Sequence, residues 1–100
     1  MRKIITLCGS TKFKDEFMAI QKRLTLDNNI VISVGCFGHA DGEVWSIETK
    51  FMLDDIHEEK IRMSDAIFVI NKGGYIGPST RREIEYATKL RKEIKYLEDE

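Results

Sequence analysis

A glycine-rich loop followed by a glutamate contains residue types suited to chemistry. Residues 73–78 contain three glycines, Tyr75 and the only proline of the chain, and Glu83 follows shortly afterwards. Loops of this kind often form a wall of a ligand site. In the first turn of a following helix, the helix dipole would favour the ionised form of Glu83. An ionised carboxylate beside a crevice suits attack on the anomeric carbon of a sugar.

A purely structural role fits the same residues. Thr80-x-x-Glu83 matches a capping box, in which the Glu83 side chain accepts a hydrogen bond from the backbone N–H of Thr80. Because a cap needs no ligand, this motif alone leaves both explanations open.

The segment from Cys8 to Lys12 is a second candidate. Gly9 would let the backbone approach a ligand, and Ser10 and Thr11 offer hydroxyls at a helix N-terminus, where free N–H groups favour an anion. The segment predicts contacts to a phosphate or a sugar, with an ordinary helix cap by either hydroxyl as the alternative. The second glycine and the lysine that define a P-loop are absent.

Two further sets of side chains could serve a site. Asp54 and His57 are three residues apart and would share one helix face, where the pair could orient a substrate or transfer a proton. The charged residues around them fit a solvated surface equally well. Phe37, Trp45 and Tyr75 could stack on a base, or could fill the core or a subunit interface.

Alternating strands and helices would position these residues. Apolar runs predict strands at residues 4–7, 30–34, 66–70 and 94–97, with the second and third covered on both faces. Amphipathic stretches predict helices over residues 13–24, about 46–63 and about 80–91. The order βαβαβαβ predicts a small parallel sheet with helices on both faces and right-handed crossovers. Sites in such sheets lie beyond the carboxyl ends of the strands, where the candidate segments fall.

Composition limits the class of protein. The 100 residues predict a single domain spanning residues 1–100, with 16 basic and 17 acidic residues interspersed. No basic stripe is visible, so no nucleic-acid partner is expected. No apolar run approaches the ~18 residues that would predict a membrane span.

The cysteines indicate a compartment. Cys8 and Cys36 occur without a recognisable secretion signal, which predicts free thiols in a reducing cytoplasm. Cys36-x-x-His39 is half of a metal site without a second pair, so neither a metal nor another cofactor is predicted.

Three motifs together resemble the nucleoside 2-deoxyribosyltransferase-like superfamily, which includes the 2-deoxynucleoside 5-phosphate N-hydrolases. They are Leu7-Cys8-Gly9-Ser10, the run from Ser64 to Ile70, and Gly77 followed by Glu83-Ile84-x-x-Ala87. Residues 73–87 also resemble a motif of a small bacterial and phage subgroup. The resemblance spans nearly the whole chain and implies a three-layer, Rossmann- or flavodoxin-like α/β domain that forms homodimers or larger homo-oligomers.

The resemblance implies roles for individual residues. Glu83 takes the position of the family's nucleophile, and Gly9, Ser10 and Ser79 would face the sugar or the 5-phosphate, with Gly77 in the family's glycine loop. The family places an aspartate eight residues before the Asp of its A-D pair, which is Asp65 here, and this chain has His57 there.

The expected function is cleavage or transfer at the N-glycosidic bond of a (deoxy)nucleoside or nucleotide, through Glu83 and a glycosyl-enzyme. The catalytic residues would be Glu83 and His57. The substrate-binding residues would be Gly9, Ser10, Thr11, Asp54, Gly77 and Ser79. A non-catalytic nucleotide-binding or sensing module on the same scaffold is the main alternative, and a small structural or interaction domain is a more distant one.

Overall fold

Four short, largely apolar runs form one parallel sheet in the computed structural model, which describes residues 1–99. The strands are β1 (Ile4–Gly9), β2 (Ile30–Ile32), β3 (Ala66–Ile70) and β4 (Glu93–Tyr96). Their order across the sheet is β2-β1-β3-β4, and every neighbouring pair is parallel. The two central strands, β1 and β3, therefore end side by side at the same edge.

Three helices cover the two faces of the sheet. They are α1 (Lys14–Leu26), α2 (Ile47–Met63) and α3 (Pro78–Lys89). On one face, Phe17, Ile20 and Leu24 of α1 pack in a cluster with Ile5 and Leu7 of β1. On the other face, Ile61 of α2 and Ala87 of α3 pack in a cluster with Cys8, Ile67 and Val69. The protein is thus a three-layer α/β fold, as predicted.

The strand β1 sends alternate side chains to the two faces. Ile5 and Leu7 lie in the α1 cluster, whereas Cys8 lies in the cluster with α2 and α3. Thr6 lies on the same face as Cys8, and its buried hydroxyl bonds to the Ser64 hydroxyl and donates to the Lys60 carbonyl. Period-two alternation therefore places a thiol between the sheet and the two helices.

The second strand is shorter and less covered than predicted. The expectation of a strand over residues 30–34, buried on both faces, is wrong, since β2 ends at Ile32 and Ile30 is 47% exposed. In the sheet formed by residues 1–99, β2 lies at the edge beside β1, and no strand covers its other side. Val34 leaves the sheet and lines the cleft described below.

The third helix begins two residues earlier than predicted. Pro78 occupies its first position and Gly77 its N-cap, which is the placement that the fixed φ of proline favours. Thr80 is consequently inside the helix, so the predicted Thr80–Glu83 capping box is wrong. Glu83 lies in the second turn, and the first turn contains no acidic residue.

Asn71 fixes the chain directly after β3. Its buried side chain donates to the Glu98 carbonyl over 3.0 Å and accepts from the Glu98 backbone N–H over 2.9 Å. The Glu98 carboxylate in turn accepts from the Gly73 N–H over 2.7 Å. The C-terminal segment therefore holds the start of the glycine-rich loop.

The helices give no sign of a membrane span. Among residues 1–99, none is both long and apolar enough to cross a bilayer.

Candidate functional site

A cleft of about 720 Å³ opens where the loops after β1, β2 and β3 meet α2 and α3. Its volume falls within the ~300–1,000 Å³ range of small-molecule sites. Its position beyond the carboxyl ends of parallel strands is where ligands bind in folds of this kind. The cleft is lined by all eight of the predicted site residues, namely Gly9, Ser10, Thr11, Asp54, His57, Gly77, Ser79 and Glu83.

Two side chains that line this cleft, His57 and Glu83, meet the fully buried Cys8 of β1, which does not line it. His57 Nε2 of α2 lies 3.3 Å from Cys8 Sγ of β1 and 3.6 Å from Glu83 Oε1 of α3. Cys8 and His57 are buried, and the Glu83 side chain is only 18% exposed. The alternative that His57 is part of a solvated surface is therefore wrong.

Burial decides the protonation states of these groups. Loss of water, and next the negative charge of Asp54, raise the pKa of Glu83 to about 8, against the opposing effects of Cys8 and Arg82. Burial, and next the charge of Lys60, lower the pKa of His57 to about 4. At neutral pH Glu83 is mostly protonated and His57 is neutral, so their 3.6 Å contact is not an ion pair.

The prediction that Glu83 is ionised by the helix dipole is therefore wrong. The dipole acts within the first turn of a helix, and Glu83 lies one turn further on. Its side chain points into a largely dehydrated site beside Cys8, whose own thiol pKa is raised by burial and by Glu83. Desolvation opposes the charged form and exceeds the favourable contributions there.

Aromatic side chains form two walls of the cleft. Trp45 packs against Gly38, where a Cβ atom would come within 2.3 Å of the indole nitrogen, so a side chain at position 38 would displace the indole. Tyr75 has the Lys12 ammonium 3.7 Å from its ring centroid. Phe37 packs edge-on against Phe17 in the core cluster and does not line the cleft.

The predicted hydroxyls already hold the loops in place. Ser10 Oγ accepts from the Lys12 N–H over 3.4 Å, which confirms the capping alternative for Ser10. Thr11 Oγ1 accepts from the His39 N–H over 3.2 Å and so ties the first loop to the second. Ser79 Oγ accepts from Arg82 over 3.2 Å. Each hydroxyl accepts in these bonds, so its own O–H can still donate to a ligand.

A buried thiol, Cys8, and three basic residues, Lys50, Lys60 and Arg82, are present at this site but are not predicted from the sequence. Cys8 belongs to the predicted first loop segment but is not among the predicted site residues, although its even spacing from Thr6 within β1 directs it to the α2 and α3 face. Lys60 lines the cleft one turn after His57 and donates to the Ser33 carbonyl over 2.9 Å. The three-residue spacing from His57 was the available signal for Lys60. Lys50 and Arg82 also line the cleft.

A scan against protein-family models matched no family to the chain, and a search of the curated proteins found no match.

Proposed function

We propose that this protein cleaves or transfers at the N-glycosidic bond of a (deoxy)nucleoside or nucleotide, with Glu83 as the nucleophile. The observation that carries this proposal is a recessed carboxyl group on the wall of a cleft of nucleoside size. The aromatic walls and the hydroxyl-bearing loops around it suit a base and a sugar, respectively. The motif resemblance around Glu83 supports the same assignment.

The reaction requires the ionised form of Glu83. With a pKa of about 8, roughly a tenth of the carboxyl groups are ionised at pH 7. The pKa of His57, lowered to about 4 by its burial, makes this imidazole a poor acceptor for the proton. The proton therefore leaves to solvent, and the neutral imidazole of His57 acts as a contact for the Glu83 carboxyl group.

The bond changes follow from this arrangement. A Glu83 oxygen attacks C1 of the sugar, and the C1–N bond breaks so that its electron pair leaves with the base, which takes a proton from water. The resulting glycosyl ester is resolved when water or a second base attacks C1 and releases the Glu83 carboxylate. Trp45 and Tyr75 offer surfaces for the base, and Ser10, Thr11 and Ser79 offer donors for the sugar or a 5-phosphate.

Cationic side chains at the cleft suit an anionic substrate. Lys50, Lys60 and Arg82 line the same cleft as Glu83. Their charges would offset those of a phosphate group, so nucleotides are expected to be processed in preference to the corresponding nucleosides.

The proposed chemistry predicts a specific pH dependence. The protein is first treated with a chelator to remove any bound metal ions. Its turnover should then rise about tenfold per pH unit and level off near pH 8, because only ionised Glu83 attacks. The groups that face Glu83 are Cys8 on β1, Asp54, His57 and Glu58 on α2, and Arg82 on α3. Asp54→Asn removes a negative charge that raises the pKa of Glu83, so the rise should move to lower pH.

The control for this experiment is Asp55→Asn, which removes a charge from an exposed position of the same helix. Its pH profile should match that of the unmodified protein. Identical profiles for all three proteins would contradict the role of Glu83 as the titrating nucleophile.

A non-catalytic nucleotide-binding or sensing module remains the second candidate. The observation that favours it is the protonated state of Glu83, because a neutral carboxyl group can donate a hydrogen bond to a ligand without attacking it. Tight nucleotide binding without base release from any member of a nucleoside and nucleotide panel would identify this function.

We also propose that the chain forms a homodimer or larger homo-oligomer. Several large apolar side chains on or just before α2 are exposed, namely Val44, Ile47, Phe51, Met52, Ile56 and Met63. Ile47 and Phe51 also line the cleft, so a second copy packed there would help to enclose the site. Light scattering should give a mass of at least twice 11.6 kDa, and a monomer at micromolar concentration would contradict the proposal.

A further inference from the structure

The cluster at the inner end of the cleft holds three different metal-binding atoms. Cys8 Sγ, His57 Nε2 and a Glu83 carboxylate oxygen all lie within 4.8 Å of one another. They come from β1, α2 and α3, so the tertiary packing brings them together. Their spacing along the sequence therefore does not form a recognisable metal-binding motif. We propose that Cys8, His57 and Glu83 bind one zinc ion, or a similar thiophilic divalent cation, in the cleft.

The separations of the donor atoms fit a tetrahedral ion. Zinc bonds of ~2.3 Å to sulfur and ~2.0–2.1 Å to nitrogen or oxygen place the ligand atoms roughly 3.3–3.6 Å apart along the edges of a tetrahedron. The measured distances are 3.3 Å from Cys8 Sγ to His57 Nε2 and 3.6 Å from His57 Nε2 to Glu83 Oε1. These two separations match the edges of a tetrahedral site, and the third pair, Cys8 Sγ and the Glu83 carboxylate, lies within 4.8 Å. Side-chain rotation that closes this third edge would complete the site.

The charges of the three ligands and the polarizable sulfur among them determine which metal ion the site prefers. A thiolate and a carboxylate balance a dication, and the imidazole binds in its neutral form, so the occupied site carries no net charge in a buried environment. A thiolate ligand favours zinc over magnesium or calcium, which prefer oxygen ligands. Since His57 and Glu83 line the open cleft, a fourth position remains for water or a ligand, as in three-ligand zinc sites.

Occupation by zinc would regulate the activity. Coordination to zinc withdraws electron density from the whole Glu83 carboxylate and makes both of its oxygens weaker nucleophiles, so zinc should inhibit base release. This consequence rests on the proposed function, whereas the binding site itself does not.

The test of the site is metal binding without substrate. Chelator-treated protein is titrated with Co²⁺, which reports a thiolate ligand by a charge-transfer band in the near ultraviolet, and with Zn²⁺ by calorimetry. One ion per chain and a clear thiolate band are expected. Cys8→Ser should abolish the band, and Cys8→Ser and Glu83→Gln should each weaken zinc binding by at least about 100-fold, because loss of a direct ligand exceeds the ~10–100-fold effect of an outer-shell change.

The chain contains its own matched control. Cys36 and His39 are an exposed Cys-x-x-His pair outside the three-residue cluster, although Cys36 lines the same cleft. The double variant Cys36→Ser/His39→Gln therefore removes the same donor types and leaves the three proposed ligands unchanged. This variant should retain both the band and the affinity. Loss of binding in it, or no thiolate band in the unmodified protein, would overturn the proposal.

A thermal measurement keeps the test decisive if Cys8→Ser folds poorly. Zinc at 100 times its dissociation constant should stabilise the unmodified protein and the Cys36→Ser/His39→Gln variant equally, by mass action on the folded state. Unchanged melting temperatures would overturn the site. Zinc binding without inhibition of base release would retain the site and contradict its regulatory consequence, so failure of the zinc site and failure of the proposed function are separable.

Discussion

Glu83→Gln is expected to abolish base release, by at least ~10³-fold, while the protein stays folded. The amide cannot form the glycosyl ester. It is also a close match for the protonated carboxyl group that the folded protein holds at neutral pH, since burial raises the pKa of Glu83 to about 8. The free energy of unfolding should therefore change by less than about 1 kcal/mol.

Base release from a panel of nucleosides and nucleotides is the measurement, combined with thermal melting. Glu85→Gln is the matched control, because it makes the same substitution at an exposed position of α3. It should leave turnover and melting unchanged. Turnover by Glu83→Gln at the rate of the unmodified protein would refute the nucleophile assignment.

Gly9→Ala is expected to reduce the free energy of unfolding by at least about 2 kcal/mol. Gly9 ends β1 with φ +153°, a conformation that side-chain-bearing residues rarely adopt, and an added Cβ would lie 2.8 Å from the Ile70 carbonyl oxygen. Ile70 is fully buried, so the neighbouring strand has little room to move. The strain falls at the end of the strand that carries Cys8 to the site.

Thermal or denaturant unfolding measures this effect, with a loss of at least about 8 °C expected for a domain of this size. Gly35→Ala is the control, because a Cβ at that position would meet no atom within 4 Å. Equal stability of the two variants would contradict the close approach of β1 and β3 at Gly9.

The architecture was accessible from the sequence because each element carries a strong local signal. The run Ala66–Ile70 is apolar throughout and forms a fully buried strand, and the spacing of Phe17, Ile20 and Leu24 predicts the face of α1 that is buried. The exact ends of helices and strands depend on capping residues and on neighbouring strands, which the hydrophobic periodicity does not report. Pro78 starts α3 two residues early, and the edge position of β2 shortens it.

Much of the cleft lining is also predictable from the sequence, because parallel sheets place sites beyond the carboxyl ends of their strands and because Asp54 and His57 share one helix face. The protonation state of Glu83 could not be predicted from the sequence. It depends on burial against Cys8 and His57 and on the charge of Asp54, which are contacts between β1, α2 and α3. The expectation of an ionised Glu83 has the wrong sign because α3 starts at Pro78, which places Glu83 beyond the first turn, and because burial raises its pKa.

The most direct test of the central claim is to look for a sugar covalently bound to Glu83. Protein quenched during turnover of the best substrate in the panel is analysed by intact-mass and peptide mass spectrometry. Covalent catalysis by Glu83 predicts an added mass of one sugar or sugar phosphate on the peptide that contains Glu83, and none in Glu83→Gln. An adduct on another residue, or nucleotide binding without any base release, would contradict it.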